Sequence, residues 1–300
     1  MKTPQCGRKV LPVLGSVKFF QQFPLSNLVI MSKLKKIVEE VKEHGSTELD
    51  AIDKSIVNLL DIPGILNLHQ LTRLTLSHNK MVVIPPSIAD LVNLENLNFF
   101  NNHIEELPTS ISSLPKLKIL NLGMNHLDNL PRGFGAFPML EVLDLTYNNL
   151  TERSFPANFF ILDTLRALYL GDNDMEYVPP EMGRLKCLQI LVLRDNDLVA
   201  LPAELGDLTR LKELHLQGNR LTVLPPELGN LDLVGMKQVF RGDNNPWVIP
   251  IADQFQLGVS HVFDYIRSDT YKYLYNRHIQ AGAAPPPRTA DKSKKVSRKR

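Results

Sequence analysis

Cysteine is nearly missing from these 300 residues: Cys6 and Cys187 are the only two, and they stand far apart. So few thiols exclude the disulfide framework that braces small secreted domains, and they predict a reducing, intracellular setting. They also leave too few ligands at short spacing for a closed zinc site, so no metal or other cofactor is expected. Apolar runs of the roughly 18 residues that a membrane-spanning helix needs are missing too. No phosphate-cradling Gly-rich loop ending in Lys-Ser or Lys-Thr, no Gly-x-Ser-x-Gly elbow and no His-Glu-x-x-His occurs. The eight histidines, among them His78, His103, His126, His215 and His261, are scattered and read as solvated surface positions. With no acid, base and nucleophile converging, the chain is read as a non-enzyme.

Net charge is also small, +2 overall, but it is unevenly placed. Residues 1–36 carry seven basic side chains and no acid, and residues 282–300 carry seven against Asp291. Removing the +7 and +6 of these ends from the whole leaves −11 on residues 37–281. Such a body repels nucleic acid and anionic lipid, so a basic protein partner is the better fit.

What fills the chain is a single repeated phrase, Leu-x-x-Leu-x-Leu-x-x-Asn. It reads LTRLTLSHN, LENLNFFNN, LKILNLGMN, LEVLDLTYN, LRALYLGDN, LQILVLRDN and LKELHLQGN, ending at Asn79, Asn102, Asn125, Asn148, Asn173, Asn196 and Asn219. The steps between these asparagines are 23, 23, 23, 25, 23 and 23 residues. LDAIDKSIVNLL, from Leu49, aligns as a degenerate first repeat with Lys54 at the asparagine position, and Asn244-Asn245-Pro246-Trp247 closes the series. The phrase predicts a leucine-rich-repeat solenoid of the α/β class: a curved parallel sheet on the concave face, short helical or irregular segments on the convex face, and helical caps. Leu74 and Leu76 should point inward while Thr75 and Ser77 point out. The asparagine amides should form a buried ladder satisfying backbone groups of adjacent coils. Pro85, Pro108, Pro131, Pro179, Pro202 and Pro225 should open the convex segments, and the 25-residue step should bulge there.

Composition divides the chain further. Residues 1–30 read as a disordered extension ahead of a chain that begins at Met31, because no clean signal-peptide core is present. Residues 31–48, with SKLKKIVEEVK, form an N-terminal helical cap; 49–246 are the repeats. Residues 247–280 form a C-terminal cap, with Ile251, Phe255, Val259, Val262, Phe263 and Ile266 spaced as on an amphipathic helix. Residues 281–300 are a proline-rich basic tail, too polar to fold alone and read as solvating, with nuclear-localisation or membrane-surface roles as alternatives. The tripeptide Arg241-Gly242-Asp243 reads as a turn beside the cap and Asn149-Leu150-Thr151 as an inert sequon. The chain is expected to be monomeric.

The outward strand positions define the concave face. Its columns are Thr75, Asn98, Asn121, Asp144, Tyr169, Val192 and His215; then Ser77, Phe100, Gly123, Thr146, Gly171, Arg194 and Gln217; then His78, Asn101, Met124, Tyr147, Asp172, Asp195 and Gly218. Phe100, Met124, Asp144, Tyr147, Tyr169, Asp172, Arg194 and Asp195 are the candidate partner-binding residues, since exposed aromatics with an acidic rim make an interface hot spot. The stretches NFFNNHIEELP, LPRGFG, EVLDLTYNNL, FQLGVSHVFDYIRS and TYKYLY resemble the Ras suppressor family over residues 31–300. That resemblance implies a cytoplasmic, non-catalytic adaptor at focal adhesions. It implies binding to a LIM domain of PINCH within the integrin-linked kinase, PINCH and parvin complex, and a link to Ras-pathway proteins. The alternative reading is direct regulation of a small GTPase or a phosphatase.

Overall fold

The computed structural model describes residues 25–282 and 284–288, with side chains from Ser32 onward. Most of the segment expected as an N-terminal extension, and most of the basic tail, therefore lie outside the described residues.

Among the described residues nine three-residue strands form one parallel sheet in chain order. They are β1 (Glu48–Asp50), β2 (Arg73–Thr75), β3 (Asn96–Asn98), β4 (Ile119–Asn121), β5 (Val142–Asp144), β6 (Ala167–Tyr169), β7 (Ile190–Val192), β8 (Glu213–His215) and β9 (Val239–Arg241). The register pairs Leu49 with Leu74, then Leu97, Leu120, Leu143, Leu168, Leu191 and Leu214, so one leucine row runs the length of the interior. A second row, Leu76, Phe99, Leu122, Leu145, Leu170, Leu193 and Leu216, has no exposure at all. Each such side chain contributes about 1.5–3 kcal/mol by burial, and only because the next coil covers it.

The asparagine ladder is buried, with Asn125, Asn148 and Asn173 at 0% exposure. Asn125 shows its logic: Oδ1 accepts from the Ile104 N–H of the preceding coil at 3.0 Å, and Nδ2 donates to Phe99 O at 3.0 Å and Leu122 O at 3.0 Å. Asn79 accepts from Lys54 N–H and Ile56 N–H in the degenerate first coil, each at 3.0 Å. Asn245 extends the ladder beyond Asn219, accepting from Leu221 N–H at 3.1 Å and donating to Leu216 O at 2.9 Å.

The convex segments are 3-10 helices. Five open after Pro85, Pro108, Pro179, Pro202 and Pro225 as expected, and one after Pro156. Pro131 departs from the pattern, because its turn starts from Gly133 in the left-handed region, φ 86°. The longer step folds as an extra turn, Glu152–Ser154, whose Thr151 and Ser154 side chains cap each other's backbone. Behind it Phe134, Phe155, Phe159 and Phe160 pack together at centroid distances of 4.9–6.2 Å.

Helix α1 (Leu25–His44) covers the first coil with Leu34, Val38 and Val41. At the other end the expected amphipathic helix is three short ones: α2 (Ile249–Leu257), α3 (Val259–Arg267) and α4 (Asp269–Ala281). Gly258, φ 125°, breaks the first join, and Ser268 caps α4 by accepting from Tyr271 N–H at 3.2 Å. Trp247, Phe240, Phe255 and Phe263 pack together over the last coil. Tyr271, fully buried, donates to Leu224 O at 2.5 Å and accepts from Leu224 N–H at 2.9 Å.

Candidate functional site

The concave face is built by short strands and the turn that follows them. Ladder hydrogen bonds continue past the strand ends: Met124 N–H donates to Thr146 O at 2.8 Å and Tyr147 N–H to Gly171 O at 2.9 Å. The third column of predicted positions lies in that turn rather than on the strands. His78, Asn101, Met124, Tyr147, Asp172 and Asp195 all have φ between 54° and 57°. This left-handed backbone costs a non-glycine residue roughly 1–2 kcal/mol. The buried asparagine that follows each of them holds the turn in place. The penalty explains why His, Asn, Asp and Gly dominate the column and makes Met124 and Tyr147 its exceptions.

Arg194 gathers four of the eight predicted residues, itself included. Its Nη1 lies 2.9 Å from Asp172 and 2.6 Å from Asp195, and its Nη2 donates to Tyr147 Oη at 3.3 Å. The guanidinium also stands over the Tyr147 ring, 5.5 Å from its centroid. Burial opposes its charge, but the hydrogen bonds to Tyr147 and Asp195 outweigh that and hold its pKa above the usual value. Two glycines let the neighbours lie flat: a Cβ at Gly171 would stand 3.0 Å from the Arg194 side chain, and one at Gly123 would stand 3.1 Å from Phe100. Phe100 packs edge-on against His78 at 5.6 Å.

Asp144 is more local than the sequence suggests. Its Oδ1 accepts from Thr146 N–H at 2.9 Å and from the Thr146 hydroxyl, as Asn98 accepts from Phe100 N–H two coils earlier and Asn121 from Gly123 N–H one coil earlier. These three side chains fix the turn backbone, and Asp144 adds a charge. Burial raises the Tyr169 pKa above its ordinary value, and the negative charges of Glu213 and Asp144 add to the shift. Ser77, expected to point out, is buried at 6% exposure.

One column was missed. The first strand position carries Ile119, Val142, Ala167 and Ile190 on four consecutive coils, whereas Glu48, Arg73, Asn96 and Glu213 occupy it on the others up to the last strand, which begins with Val239. Ile119 keeps 38% exposure. An apolar strip thus shares the sheet face with the Arg194 cluster, the column of Asp144, Tyr169 and Val192 lying between them, and the switch in residue type along the strip was readable. Outside it runs a charged edge in which Lys118, 2.7 Å from Glu95, holds that carboxyl below its ordinary range. Among the described residues no three His, Cys, Asp or Glu side chains come together as metal ligands, and no helix is long and apolar enough to cross a membrane.

Comparison with known proteins agrees with this architecture. Residues 132–244 match a leucine-rich repeat region and 101–150 a leucine rich repeat. A structure of the Arabidopsis receptor kinase HAESA superposes with a TM-score of 0.59 at 25% identity, over 74% of this chain and 42% of that one. An internalin from Listeria monocytogenes superposes at 0.53 with 22% identity, over 79% and 74%. Ras suppressor protein 1 of Homo sapiens is 71% identical over 270 residues, covering 90% of this chain and 98% of the human protein. The Mus musculus protein is 67% identical over the same length. Relatives and repeats together support a protein-interaction role. At 67–71% identity over 270 residues, the chain belongs to the Ras suppressor protein 1 family of leucine-rich-repeat proteins.

Proposed function

We propose that the chain is a non-enzymatic adaptor. Its concave face binds a LIM domain of PINCH, joining the integrin-linked kinase, PINCH and parvin complex at cytoplasmic focal adhesions. The observation that carries this reading is the conjunction, on one face, of the apolar strip Ile119 to Ile190 with the cluster of Tyr147, Asp172, Asp195 and Arg194. An apolar centre rimmed by carboxylates on a body of −11 suits a basic, metal-stabilised module with exposed apolar side chains.

The test is calorimetric titration of the full chain with the C-terminal LIM domain of PINCH. Asp144→Asn keeps the turn bond that Asn98 and Asn121 make, so it removes charge without loosening the backbone. Combined with Tyr169→Ala it should weaken binding at least tenfold, about 1.4 kcal/mol. Unchanged affinity would remove the concave assignment.

A second reading is direct regulation of a small GTPase, supported by the name its relatives carry. A Ras-type GTPase in both nucleotide states, titrated in parallel, separates the two. Saturable LIM binding alone supports the adhesion adaptor, and GTPase binding alone supports the regulator.

A further inference from the structure

The described part of the tail lies against the repeats. Arg220 donates to the Pro286 carbonyl, its Nε at 2.7 Å and its Nη2 alongside. Two residues later Arg288 pairs with Glu176 and lies 3.8 Å from Asp197. Arg220 follows Asn219, Asp197 follows Asn196, and Glu176 stands three residues after Asn173. The segment therefore runs back along the lateral edge, from later coils to earlier ones. Pro285, Pro286 and Pro287 restrict it to extended conformations, so little chain entropy is lost in laying it down.

The edge ahead of it is acidic. Glu152 accepts from Glu176 N–H at 3.4 Å, Asp128 stands on the coil before, and Glu105 and Glu106 on the one before that. Glu105, Glu106 and Asp128 are exposed. Arg153 is a cation on this edge, 4.0 Å from Glu152 and 91% exposed. Residues 289–300 hold Lys292, Lys294, Lys295, Arg298, Lys299 and Arg300 against Asp291 alone. Reach is ample: three coils at about 4.8 Å separate Glu176 from Glu105, and twelve extended residues span about 40 Å.

We propose that the lateral edge formed by Glu105, Glu106, Asp128, Glu152 and Glu176 is the docking surface of the chain's own basic tail, residues 288–300, anchored in cis by Arg288. This edge lies beyond the motif asparagines, so an occupied edge leaves the concave face open.

Zero-length carbodiimide coupling of the full chain at low salt tests it, because it joins amines only to carboxylates in contact. Lys118–Glu95 and Lys35–Glu39, at 2.7 and 3.6 Å, are internal controls. Mass spectrometry of the monomer should find Lys292, Lys294 or Lys295 joined to Asp128, Glu152, Glu105 or Glu106. Arg288→Glu should lower that yield roughly fivefold, leaving the controls unchanged. Coupled controls without tail-to-edge products, such products only between two copies, or an undiminished yield in Arg288→Glu would each overturn the proposal.

Discussion

Replacing Asn125 by alanine should cost about 3 kcal/mol of folding stability, a figure that follows from how the ladder is wired. Three carbonyls lose a donor, but each keeps another: Asn102 still donates to Phe99 O at 3.0 Å, Asn148 to Leu122 O at 3.0 Å, and Asn101 N–H to Gly123 O at 2.9 Å. The amide has two hydrogens for these acceptors, so about two bonds are lost at roughly 0.5–1 kcal/mol each. The Ile104 N–H loses its acceptor inside a core where Asn125 has no exposure, adding about 1–3 kcal/mol. Asn121→Ala is the control, since its half-buried side chain accepts from Gly123 N–H at 2.9 Å on the open face and should cost under about 1 kcal/mol. Urea unfolding read by circular dichroism and by the single tryptophan, Trp247, measures both. Asn125→Asp should be worse than alanine, because it keeps the acceptor but turns a buried anion toward carbonyl oxygens. A gap of less than about 1 kcal/mol between the Asn125 and Asn121 alanine variants would refute the ladder argument.

Three further outcomes follow. Tyr271→Phe should destabilise the cap by about 2 kcal/mol, leaving the Leu224 N–H and carbonyl without their partner, as thermal unfolding would show. Burial raises the Tyr271 pKa above its ordinary 10.0, so the folded state keeps a proton that the unfolded chain gives up. Stability is then full below pH 10 and falls as pH rises beyond it, and urea midpoints from about pH 9 to about pH 11 should slope less in Tyr271→Phe. Gly135→Ala should fold poorly, its Cβ meeting Asn158 O at 1.7 Å, whereas Gly123→Ala should keep its melting temperature and weaken LIM binding by displacing Phe100.

The repeats were legible because period, leucine rows and asparagine spacing all state the same geometry, down to the pairing of Leu49 with Leu74. Less visible was what depends on backbone torsion. Met124 and Tyr147 stand among the outward strand positions in the sequence, but the turn before each asparagine twists them into the left-handed region. Asp144 looked like a free charge, and only the Thr146 N–H at 2.9 Å reveals it as part of a turn. The apolar column at Ile119, Val142 and Ile190 was overlooked because the outward positions were counted from two residues further on, at Asn121, Asp144 and Val192. The C-terminal cap kept its helical spacing through Gly258, which periodicity alone does not register as a break. Composition placed a basic tail at the end but could not say that Arg288 returns to Glu176, a contact 112 residues away in sequence.

The ladder has a direction. Asn102, Asn125, Asn148, Asn173, Asn196 and Asn219 all reach back, taking an N–H and giving to a carbonyl in the coil made before their own. A coil leaving the ribosome thus finds the partners of its own asparagine amide already synthesised, while a backbone N–H such as that of Ile104 waits for the asparagine of the coil that follows. The nascent chain can wind up one turn at a time behind α1, like thread taken onto a spool, and Tyr271 closes the end only when the last helix has been made.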